Sequence, residues 1–115
     1  MKGIVWGRFY VHAAEKLEEV INDYLRAGIK VVKRANSKGV SHVRFSNDDY
    51  WEALGMTESA RGRCVNVSYI ENTIPDDFVK TIILPCTKAL PYTAISRYAH
   101  IPSKDREKED EEDDV

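Results

Sequence analysis

The spacing of apolar residues changes period several times along this chain, and each change marks a predicted element. Residues 3–10 hold Ile4, Val5, Trp6, Phe9 and Tyr10, which predict a first strand, with Gly7 marking a close backbone approach or a bulge. The period then lengthens. Ala14, Leu17, Val20, Ile21, Tyr24 and Leu25 recur three or four apart over residues 12–27, which makes one face of a helix, and Gly28 is placed to end it. Two β-rich runs, residues 29–35 and 40–46, are separated by Asn36, Ser37, Lys38 and Gly39, which predict a hairpin. Asn47, Asp48 and Asp49 supply a polar turn, and residues 50–54, with Trp51, predict a further short strand.

The stretch 58–78 joins four different signals. Residues 55–63 have no apolar period and read as a loop with Arg61 and Gly62 near its end. Residues 64–70 alternate, which sets Val65, Val67 and Tyr69 on one face of a strand with Glu71 at its carboxyl end, where α/β sheets commonly place ligands. Pro75 opens a second helix, Asp76 and Asp77 favour its positive end, and Phe78, Val79, Ile82 and Ile83 form its buried face until Pro85 stops it. In residues 86–101 the prolines exclude a long helix, while Tyr92, Thr93, Ile95 and Tyr98 suit a strand or a packed extended segment. The expected fold is α/β: a single small domain over residues 1–103, with a mixed sheet of about five strands and two main helices.

Composition refines this picture in one respect. An apolar share of 43% and a charged share of 31% in 115 residues suit one globular core. The net charge of −2, however, divides unevenly. Residues 104–115 hold eight acidic and three basic side chains, which predicts a disordered acidic C-terminal tail and leaves the preceding body at +3. The first residues lack a secretory pattern and no run approaches a membrane span, so a soluble cytoplasmic protein without membrane partners is expected. Cys64 and Cys86 are expected to be ordinary reduced thiols, partly buried.

Several candidate chemistries find no support in the residues. His12, His42 and His100 are far apart, with no Ser, Cys or Asp in a nucleophile motif beside them. Zinc spacing, a phosphate-cradling glycine loop and a dinucleotide fingerprint are all missing, so no metal and no cofactor is expected. Asp48 and Asp49 read as turn formers. Lys33, Arg34, Lys38 and Arg44, with His42 among them, form a basic hairpin that suits either phosphate contact or a solvated edge that resists strand pairing.

A resemblance adds a functional lead. The strand with Gly7 and Arg8, the helix KLEEVINDYL, the hairpin ending VRFSNDD, the loop SARGR and the strand VNVSYIEN with its following helix resemble the middle of the ATPase core of phage large terminase subunits, the DNA-packaging motors. The resemblance spans about residues 3–85. It aligns Arg8 with the family's Arg-bearing strand, Phe45 to Asp48 with a hairpin turn, and Arg61 with Gly62 with an Arg-Gly loop. It also implies that Glu71 stands where the family has its metal-binding Asp and Asn72 where it has its catalytic Glu. Asn cannot act as a general base, and the family's phosphate loop would fall before residue 1. The resemblance therefore implies a shortened, non-enzymatic core with a vestigial acidic site at Glu71 and Asn72, acting by binding a macromolecular partner, protein or nucleic acid. Candidate contacts are Arg8, Lys33, Arg34, Lys38, Arg44, Arg61 and Arg63, and the acidic tail is a further one toward a basic surface. Two alternatives stand beside it: a split ATPase completed by Arg8, Arg61 and Glu71 with the phosphate loop on another chain, and a small nucleic-acid-binding protein using the basic hairpin. A homo-oligomer is also open.

Overall fold

The computed structural model describes residues 1–37, 40–57, 60 and 62–101. Six strands form one sheet in the order β2-β3-β4-β1-β5-β6: β1 (Lys2–Trp6), β2 (Val31–Ser37), β3 (Val40–Phe45), β4 (Tyr50–Leu54), β5 (Val67–Glu71) and β6 (Ala94–Tyr98). Neighbours among β2, β3 and β4 pair antiparallel, while β4, β1, β5 and β6 all run parallel. The sheet is mixed, as expected, with a sixth strand in the segment where an extended run was one of two readings. The predicted acidic tail lies outside the described residues.

Alternation along β1 explains the two-sided core. Ile4 and Trp6 face a cluster with Leu54, Ile70, Ile82 and Ile83, whereas Val5 faces one with Leu17, Val20, Val43, Phe45 and Trp51. The first cluster is covered by a helical segment that opens as α2 (Asp76–Phe78), widens into a π-helical turn (Val79–Ile83) and closes as α3 (Leu84–Cys86). The second is covered by α1 (Tyr10–Arg26). Gly3 lies against Trp51 so closely that a Cβ would come within 2.6 Å of the indole ring.

Four expectations require correction. The first strand ends at Trp6 rather than Tyr10, because the backbone folds tightly at Gly7, where a Cβ would meet Phe9 O at 2.5 Å and Ala13 N at 2.6 Å. On α1 the buried set is Ala13, Leu17, Val20 and Ile21, and Leu25 is exposed. Pro85 does not stop the second helix, which runs on to Cys86; a proline near a helical N-terminus needs no N–H partner, and the wider π-turn before it ends at Ile83. Val65 does not share a face with Val67 and Tyr69. It bridges to Thr87 and joins the core under α2–α3, because the chain bends at the buried Asn66. That side chain accepts from Lys2 N–H at 3.0 Å and donates to the carbonyls of Ala89 and Tyr92, both at 3.1 Å.

Candidate functional site

Two polar regions of the sheet are candidates, and the first is the carboxyl end of β1 and β5. Parallel pairing of these strands places Glu71 beside the turn that leads into α1. That helix begins after Phe9, which offers no side-chain cap, and has no acidic residue in its first turn. Glu71 supplies the missing negative group from another strand. Its Oε1 accepts from Arg8 N–H at 3.1 Å and lies 2.7 Å from His12 Nδ1, and its Oε2 accepts from the Thr73 hydroxyl. Burial pushes this carboxyl up, but the Thr73, His12 and Arg8 hydrogen bonds and the His12 charge outweigh it and hold the group below its ordinary value.

The histidines that looked unrelated in sequence meet here. His12 and His100 stack with ring centres 3.7 Å apart, and His100 Nδ1 is 3.4 Å from Glu15 Oε2. The side chain of Arg8 turns back to donate to Thr73 O at 3.0 Å. Tyr98 donates from its hydroxyl to Trp6 O at 2.9 Å, and burial raises its pKa. Asn72 lies in the exposed turn after β5. The cluster is thus a closed network in which the chain's own donors occupy both oxygens of Glu71. No group of three or more His, Cys, Asp or Glu side chains among the described residues is arranged to hold a metal ion. Sequence reading missed His12 and His100; the available signal was that His12 follows β1 closely and Glu71 ends a strand of the same parallel type.

The second region is the face of β2, β3 and β4 away from α1. Register sets Lys33 opposite Arg44, Arg44 opposite Tyr50, and Tyr50 opposite Lys2, so a row of four side chains crosses β2, β3, β4 and β1. With neighbouring strands about 4.8 Å apart, the row spans about 14 Å. Arg44 lies over the Tyr50 ring at 5.9 Å, and His42 is 5.7 Å from the same ring. Burial, then Glu52, raises the pKa of Tyr50, so its hydroxyl stays neutral toward an anion.

A concavity of about 380 Å³ opens at the Lys2 end of this row, lined by Lys2, Tyr50, Glu52, Arg63 and Cys64. Arg63 pairs with Glu52 at 3.3 Å, yet its Nε is buried and has no acceptor among the described residues. The structure therefore brings Lys33, Arg44 and Arg63 onto one face, joined by Lys2. Arg34 is on the other face, paired with Glu18 of α1, and Arg8 belongs to the Glu71 cluster. Lys38 and Arg61 lie outside the described residues. Cys64 is exposed and Cys86 buried, where both were expected to be partly buried; Cys64 lies in the loop before Val65, at the mouth of the concavity, and Cys86 packs in the core under α2–α3.

No known protein family matches the sequence, and no curated protein matches it. The fold has a counterpart in the solved structure of a large terminase from a thermophilic bacteriophage, which superposes with a TM-score of 0.63 over 84% of this chain at 11% sequence identity. This chain spans 25% of that terminase chain. The likeness is one of fold, and it agrees with the family resemblance seen in the sequence. No described helix is long and apolar enough to cross a membrane.

Proposed function

We propose that this chain is a non-enzymatic binding protein built on a terminase-like sheet, and that its partner is single-stranded nucleic acid held on the outer face of β2, β3, β4 and β1. The observation that carries this reading is the cross-strand row Lys33, Arg44, Tyr50 and Lys2, with Arg63 beside its Lys2 end. Cations at these positions suit backbone phosphates, and Tyr50 offers a ring on which a base can stack. The absence of an enzymatic role is supported by Glu71, whose oxygens are taken up by Arg8 N–H, His12 and the Thr73 hydroxyl, and by Asn72, which has no basic group to offer.

Fluorescence anisotropy with a labelled single-stranded DNA at low and high salt tests the reading. Binding is expected to weaken with salt at a slope of about −0.7 per phosphate contacted, or roughly −2 to −3 for four cations. Binding that ignores salt and survives Lys33→Gln with Arg44→Gln would rule this face out. ATP binding is expected to be undetectable. A measurable nucleotide affinity, alone or with a phosphate-loop protein, would favour the split-ATPase alternative.

A further inference from the structure

We propose that this chain pairs with a second copy of itself through β6, in an antiparallel arrangement whose two-fold axis passes through Ser96, so that two six-stranded sheets become one. The proposal is independent of the nucleic-acid reading and starts from the two edges of the sheet. Edge strands expose unpaired backbone groups, and folds usually protect them with charges, bulges or irregular register. β2 is protected in this way: it carries Lys33 and Arg34, and its register with β3 shifts between Val31 and Lys33. β6 is not. Its ladder with β5 is regular from Ala94 to Tyr98, and its one charged side chain, Arg97, is turned back onto the carbonyls of Glu71 and Ile74 and the carboxylate of Asp76. Ile95 is 43% exposed on this strand, and Leu90 and Tyr92, just before it, are exposed as well.

The hydrogen bonds already made select the register. Ala94 N–H donates to Asn66 O at 2.8 Å, and Asn72 N–H donates to Tyr98 O at 2.8 Å, so Ala94, Ser96 and Tyr98 turn their backbone groups toward β5. Ile95 and Arg97 therefore turn theirs outward. A two-fold axis at Ser96 sets Ile95 of each copy opposite Arg97 of the other, and the four outward N–H and four outward C=O groups have the spacing for two reciprocal pairs. Ser96 then meets its own counterpart at a non-hydrogen-bonded position, where Cα atoms approach to about 4.5 Å, a distance that a small side chain admits. Charge favours the same orientation. The sequence continues from the Tyr98 end toward the eight acidic residues of 104–115, and antiparallel pairing sets that end beside the other copy's Lys88 end, whereas parallel pairing would bring two acidic ends together.

Sedimentation velocity on the full chain from about 1 to 200 µM, the range that covers moderate affinities, is expected to show a monomer–dimer equilibrium. Ile95→Lys gives β6 the kind of charge that β2 already has, and is expected to weaken dimerisation tenfold or more with an unchanged circular dichroism spectrum. A second variant, Ser96→Cys with Cys64→Ser, is expected to form a disulfide-linked dimer on mild oxidation, because about 4.5 Å between Cα atoms lies within disulfide range. A chain that stays monomeric throughout, or a dimer that tolerates Ile95→Lys and does not cross-link at position 96, overturns the proposal. Neither readout uses nucleic acid, so its outcome does not touch the binding reading.

Discussion

Glu71 and Arg63 are both ionisable side chains placed at the ends of a sheet, and the chain treats them differently. Glu71 meets Arg8 N–H, His12 and Thr73 within hydrogen-bond distance, all from its own chain. Arg63 has one carboxylate, Glu52, and a buried Nε without an acceptor among the described residues. A charged group whose partners are all internal contributes to folding and has little left for a ligand. Arg63, one-third exposed beside Lys2 and Tyr50, is the one of the two that a ligand can reach. A charged side chain at the end of a strand can therefore serve the scaffold that surrounds it.

The largest effect is expected for Glu71→Ala. It removes the acceptor for Arg8 N–H and His12 at the start of α1 and for Thr73 in the turn after β5, and is expected to cost about 2 to 4 kcal/mol, read by urea or thermal unfolding, while the folded fraction still binds single-stranded DNA. A stable variant with lost binding would reverse the two assignments. Next in size is Tyr50→Ala, expected to lower DNA affinity by about 1 to 2 kcal/mol, roughly five- to thirtyfold, with little change in melting temperature. Acid titration sharpens the difference further. The folded pKa of Glu71 is depressed, so its stabilisation is present above the ordinary value of 4.5 and lost as pH falls through the folded value; Glu71→Gln should flatten that part of the stability curve. The smallest effect is expected for Arg34→Gln. Its pair with Glu18 is partly exposed and on the opposite face, so stability should change by less than about 0.5 kcal/mol and DNA binding hardly at all.

Elements whose signals are local were readable from the sequence. The three-and-four spacing of Leu17, Val20, Ile21 and Tyr24 predicted α1, and Gly28 does end it, with a φ of +84°. The hairpin and the strand at Trp51 were legible for the same reason. The break at Asn66 was not, because its cause is a set of carbonyls from residues 89 and 92 that only tertiary packing brings near. The basic row was half legible: Lys33 and Arg44 were named, but their alignment with Tyr50 and Lys2 depends on register across four strands. The meeting of His12, Glu71 and His100 needed the parallel pairing of β1 with β5, for which the sequence offered only the nearness of His12 to β1 and the place of Glu71 at a strand's end.

The position of β1 has a kinetic consequence. Within this chain it precedes both of its neighbours, β4 and β5, so it has no sheet partner until residues 50–54 and 67–71 have followed. Its apolar side chains, Ile4, Val5 and Trp6, must wait in water or against α1 for that closure. Such non-local pairing is expected to make refolding slower than that of a helical bundle. Stopped-flow tryptophan fluorescence, with Trp6 and Trp51 both reporting on the closing of the sheet's centre, would time it.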